Sequence, residues 1–139
     1  SAVQGADVVC TATTSLTPVF SATALSPGCH VNAVGAFRPD MQEIDTETIR
    51  QARVVVDQRE AVLAEAGDLI VPLQQGAIAE GHIYAELGTI AAGQAPGREG
   101  TEQITLFKSV GLAVQDAVAA SVALERAEAA GLGAVIQLD

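Results

Sequence analysis

Basic residues are scarce in this chain: Lys and Arg together number 7 against 17 Asp and Glu, for a formal net charge of −10 over 139 residues. Such a balance excludes a phosphate backbone as partner, because nucleic-acid binding needs a basic face. Long apolar runs are missing too. None approaches the roughly 18 residues a membrane-spanning helix needs, and no signal peptide opens the sequence. Cysteine is limited to Cys10 and Cys29, both in apolar, strand-like surroundings. They read as buried free thiols rather than a disulfide, which suits a reducing cytoplasm, the expected compartment. There is no Gly-x-Ser-x-Gly elbow, and no pair among Cys10, Cys29, His30 and His82 has zinc-like spacing. Neither a serine nucleophile nor a metal centre is therefore expected.

What is present is a globular composition, 49% apolar and 17% charged, of a size for one domain with a real core. Apolar segments of strand length alternate with helical ones. Ala6 to Thr13 is expected as a strand apolar on both sides, leaving through the hydroxyl-rich Thr11-Ala12-Thr13-Thr14-Ser15. Val31 to Val34, Arg53 to Asp57 and Ile104 to Phe107 are the other expected strands. Helices are expected over Thr46 to Gln51 with Asp45 as N-cap, Glu60 to Ala66 ended by Gly67, His82 to Ala92, and Leu112 to Ala130 ended by Gly131. Ile70 to Gly81 reads as a loop with at most a short regular turn. Strands alternating with helices mean an α/β layer structure with a parallel sheet.

The segment from Cys29 to Glu43 organises the rest. A turn signal, Ser26-Pro27-Gly28, leads into the strand, which breaks at Gly35-Ala36, where small side chains permit close backbone approach. A polar loop held by Pro39 follows. Strand, small-residue break and loop is how a parallel sheet presents a ligand site at its carboxyl edge. A second candidate is the strand–turn–helix from Phe107 to Leu112. There Ser109 could cap the helix, free N–H groups of the first turn could take an anion, and Lys108 lies nearby. Asp57, at the end of its strand, is expected to be solvated, as are Glu60, Glu65, Glu125 and Glu128.

The segment "HVNAVGAFRPDMQEID", with "GADVVCTATTS", "AGDL", "AELG" and "ITLFKSVGLAVQDAVAA" in the same order, resembles the ornithine cyclodeaminase/mu-crystallin family from about Ala2 to Leu138. That resemblance implies the carboxyl-terminal part of a Rossmann-type, NAD(P)-binding domain over residues 1–110, with the strand from Ala6 to Thr13 lying mid-sheet. Residues 111–139 would be a long helix and tail returning toward an amino-terminal dimerisation and substrate domain. The family's glycine-rich turn is not in this sequence, Ser1 is no initiator, and the only methionine is Met41. The chain is thus expected to be part of a longer protein and to be inactive alone.

By the same resemblance Thr13, Val34, Gly35, Ala36, Phe37 and Ser109 would line the nicotinamide side of NAD or NADP, and Val110 would face the substrate. The family's cyclodeaminases carry an acid/base aspartate where this chain has Phe37, and a lysine where it has Met41. The mu-crystallin and pyrroline-carboxylate reductase branches lack that aspartate and keep the pattern of Arg38-Pro39-Asp40. The resemblance therefore implies reduction of a cyclic imino acid by a homo-oligomer. Ornithine cyclodeaminase, an alanine dehydrogenase of the same fold and a non-catalytic binding module are the alternatives.

Overall fold

Five four-residue strands, β1 (Val8–Thr11), β2 (His30–Ala33), β3 (Arg53–Val56), β4 (Ile83–Glu86) and β5 (Thr105–Lys108), run parallel in the order β1-β2-β5-β3-β4. In this computed structural model residues 2–136 are described. The last three residues of the expected tail, and Ser1, lie outside them. The last strand in sequence is inserted at the centre, where Thr105 registers with His30 on one side and Arg53 on the other.

Successive strand side chains point to opposite faces, and here only one face is sealed. Val9, Val31, Ala33, Val54, Val56, Ile83 and Leu106 turn onto that face and pack with Ile44, Ile49, Val62, Ala66 and Leu69. Those partners come from α1 (Thr46–Gln51), α2 (Arg59–Glu65), α3 (Gly67–Gln74) and the segments leading into α1 and α3. The opposite face carries Val8, 57% exposed, with Cys10, His30, Asn32 and Val55. Against the expectation of a first strand buried on both sides, β1 is covered on one face in this chain. Among the described residues it pairs with β2 alone. For the same reason Cys10 is exposed, while Cys29 is buried as expected.

Asp45 caps α1 as the sequence indicates, its Oδ1 accepting from Thr48 N at 2.9 Å. Two elements differ from expectation. Ile70 to Gly81 begins inside a helix, α3, despite Gly67 at its start and Pro72 within it. Gly67 is required there because a Cβ would run into the backbone carbonyls of Met41, Pro39 and Arg38. The expected helix over His82 to Ala92 is a strand, β4, followed by the short α4 (Leu87–Ala91). Ile83, Leu87 and Ile90 fit a helical period, but Ile83 and Ala85 equally fit an alternating one, and pairing with β3 decides between them. The long helix α5 (Ala113–Ala129) forms as expected and buries none of its residues; Val114, Val118, Val122 and Leu124 face outward. Among the described residues no helix is long and apolar enough to cross a membrane.

Candidate functional site

The carboxyl ends of three adjacent strands, β1, β2 and β5, open onto a common rim. Val34 N donates to Thr11 O at 2.9 Å and Ser109 N to Ala33 O at 3.2 Å, so the three exit loops leave the sheet side by side. All seven residues singled out in the sequence, Thr13, Val34 to Phe37, Ser109 and Val110, lie along this rim. Val34 and Phe37 are 44% and 47% exposed, whereas Ala36 is fully buried. Ala36 thus faces inward, and Gly35 and Ala36 contribute backbone to the rim. The close approach expected at Gly35 is made by Thr13, whose peptide N and O lie where a Cβ would stand.

Beneath the rim sits a residue that the sequence did not single out. Glu43 is completely buried. Its Oε2 accepts from Thr11 Oγ1 at 3.0 Å, Gly35 N at 2.8 Å and Ala36 N at 3.2 Å, and its Oε1 from Thr13 N at 2.5 Å. Burial works to raise the Glu43 carboxyl pKa, but the hydrogen bonds from Thr13, Thr11 and Gly35 together outweigh it and hold the group below the ordinary glutamate value. A depressed carboxylate pKa stabilises the fold above the unfolded-state value and loses that contribution as pH falls through the folded one. Stability of the wild type should accordingly fall more steeply on acidification than that of Glu43→Gln, measured by denaturant unfolding across the acid range. Equal slopes would show that Glu43 is not ionised in place.

Glu43 is itself held from below. Asp68, in the first turn of α3, accepts from Glu43 N at 2.7 Å and Ile44 N at 2.9 Å through Oδ1, and pairs through Oδ2 with Lys108 Nζ at 3.0 Å, both side chains fully buried. Lys108, expected near the anion site of the Phe107 to Leu112 turn, is instead turned away by strand alternation: it shares the buried face with Leu106 and points under the sheet.

The turn after β5 differs as well. Ser109 does not cap α5, which starts four residues later from Leu112 without a side-chain cap. The anion in this turn is the protein's own. Asp57 Oδ2 accepts from Ser109 Oγ at 2.7 Å, Val110 N at 2.9 Å and Gly111 N at 3.1 Å. Asp57 is therefore a buried clasp on the Ser109–Gly111 turn rather than a solvated loop residue. The hydroxyl-rich exit from β1 also bonds locally, with Thr13 Oγ1 accepting from Ser15 N at 3.1 Å.

A concavity of about 540 Å³ lies away from the rim, on the open sheet face between His30, Asn32, Arg53 and Phe107. Its cationic groups are engaged: Arg53 pairs with Glu99 and lies over the Tyr84 ring, and Arg98 donates to Thr105 Oγ1 at 2.9 Å. Among the described residues no group of three or more His, Cys, Asp or Glu is placed to hold a metal ion.

The chain belongs to the ornithine cyclodeaminase/mu-crystallin family, whose model matches residues 1–131. It is 50% identical over 137 residues to the Delta(1)-pyrroline-2-carboxylate reductase of Bacillus cereus, covering 98% of this chain and 42% of that protein. Against the ketimine reductase mu-crystallin of Mus musculus it is 46% identical over 121 residues, 87% of this chain and 36% of the relative. Among solved structures it superposes with a TM-score of 0.88 and 46% identity on the Thermococcus litoralis Delta(1)-pyrroline-2-carboxylate reductase in complex with NADH and L-proline, covering 97% of this chain and 42% of that one. The chain thus spans less than half the length of the relatives it matches.

Proposed function

From that membership we propose that the chain is part of an NAD(P)-dependent reductase of cyclic imino acids, of the Δ1-pyrroline-2-carboxylate or ketimine type. Residues 1–110 would form the carboxyl-terminal part of its nucleotide-binding domain. Residues 111–139 would return toward a domain outside this chain, which the outward apolar side of α5 suits. The observation that carries the reading is the continuous rim at the carboxyl ends of β1, β2 and β5, where open α/β sheets bind nucleotides. Thr13, Val34, Gly35, Ala36, Phe37 and Ser109 line the nicotinamide side in this reading, and Val110 faces the substrate.

A nicotinamide cofactor, when bound, supplies the hydride that adds to the imine carbon and leaves a cyclic amino acid. The chain's own residues position and shield. Val34 and Phe37 present apolar surface that excludes water, the Asp57 clasp fixes Ser109 and Val110, and the Thr13 peptide is held toward Glu43. Phe37 carries no transferable proton, so the substrate nitrogen arrives already protonated. This disfavours deamination of ornithine, which needs an acid/base group.

The test is an assay of the full-length gene product with NADH and with NADPH. Oxidation of one of them dependent on Δ1-pyrroline-2-carboxylate, with proline as product, is the expected result. Release of ammonia from ornithine without net cofactor change would instead identify a cyclodeaminase. For Phe37→Leu, turnover should stay within about tenfold of wild type. A loss beyond about a thousandfold, the scale of a positioned acid or base, would show that position 37 takes part in proton transfer.

A further inference from the structure

We infer that Glu43 is the positioning residue for the nicotinamide wall: a single buried carboxylate that sets the exit loops of β1 and β2 relative to each other, and so sets cofactor affinity without touching a ligand. The inference rests on the reading of the rim given above.

The geometry is complete. A carboxylate offers about four lone-pair sites, and Glu43 receives donors from Thr11 Oγ1 at the end of β1 and Thr13 N in its exit loop, and from Gly35 N and Ala36 N in the exit loop of β2. Three of these donors converge on Oε2 and one reaches Oε1, and with none of its surface exposed Glu43 meets no ligand. An acid/base role is thereby excluded, and a positioning role remains. All of these donors except the Thr11 hydroxyl are backbone N–H groups, so the carboxylate fixes main chain directly.

Its own main chain is fixed in turn. Glu43 N donates to Asp68, and Glu43 O accepts from Val19 N at 2.9 Å. One residue further back, Gln42 N donates to Ser15 O at 3.0 Å. The β1 exit is thus held at Thr11, Thr13, Ser15 and Val19 by a loop anchored to α3. Thr13, Gly35 and the neighbouring Val34 and Phe37 are the residues that would meet the nicotinamide. A misplacement of about 1 Å in such a wall is enough to cost on the order of a hundredfold in function.

Two variants of the full-length gene product separate positioning from plain stability. Glu43→Gln keeps the shape but turns an amide N–H₂ toward backbone donors. Thr11→Val removes only the buried hydroxyl and lies away from the open wall. NADH affinity would be measured by cofactor fluorescence well below each variant's melting temperature, alongside the melting temperature itself and kcat at saturating NADH. Expected are a dissociation constant raised at least tenfold for Glu43→Gln and at least threefold for Thr11→Val, each in a folded protein. Lower melting temperatures with wild-type NADH affinity would make Glu43 merely structural and overturn the inference. If Glu43→Gln does not fold, the Thr11→Val affinity decides by the same criterion. A wild type that binds neither NADH nor NADPH would overturn the proposed function and this inference with it, an outcome distinct from unchanged affinity in the variants.

Discussion

Gly35→Ala should destabilise the protein by about 2–3 kcal/mol, in the upper part of the range for overpacking a filled site, and weaken NAD(P)H binding at least tenfold. The added methyl would stand inside contact distance of Thr13 N, Thr13 O and Glu43 Oε1. Two of those atoms are backbone, and the third ends a side chain already tied to both loops by hydrogen bonds, so none can swing aside. Room must come from parting the two loops, which breaks the 2.5 Å bond from Thr13 N to Glu43 Oε1. The cost is one of space, since Gly35 does not have a positive φ. Gly111 makes the contrast. Its φ is +88° and nothing lies within 4 Å of a Cβ there, so Gly111→Ala should cost only the conformational penalty of about 1–2 kcal/mol. Denaturant unfolding and NADH titration of both variants check the pair. A Gly35→Ala protein with native stability and affinity would mean that the β1 exit loop moves freely, against the tight clamp described above.

That same glycine marks how far the sequence could be read. The alternation of strands and helices, the Asp45 cap, the long carboxyl-terminal helix and the close approach at Gly35 are local signals, and each is met in the structure. β4 and α3 were not legible because their cues conflict. The Ile83 to Ile90 spacing fits two periods, and the Gly and Pro of α3 normally break helices. Buried carboxylates were harder still. The side-chain partners of Glu43 lie 7, 8, 30 and 32 residues away, and those of Asp57 on the β5 turn lie 52 to 54 residues away. No spacing pattern encodes such contacts. The burial of Lys108 was not legible because the expected strand ends at Phe107; carried one residue further, it returns Lys108 to the face of the core residue Leu106.

That placement makes the Lys108–Asp68 pair costly to break from one side, since both side chains are fully buried. Lys108→Met should destabilise the protein by about 3–5 kcal/mol, the usual result of stranding one charge of a buried pair. Methionine is one heavy atom shorter but unbranched and apolar, so it fills most of the space and the loss reads chiefly the charge. Asp68 Oδ1 would keep its bonds from Glu43 N and Ile44 N, while Oδ2, 3.0 Å from Lys108 Nζ, would lose its counter-charge. Asp68→Asn should cost a similar amount, because it leaves the ammonium without its partner and both groups are fully buried. The double variant decides the matter. An asparagine amide oxygen can still accept the two backbone N–H groups, and neither partner then carries a charge. The pair of substitutions should therefore cost clearly less than the two single losses added together. An interaction energy of about 2–3 kcal/mol, at the high end for residues in contact, is expected from the complete cycle by denaturant unfolding. Strict additivity would show that the two groups do not act as an ion pair.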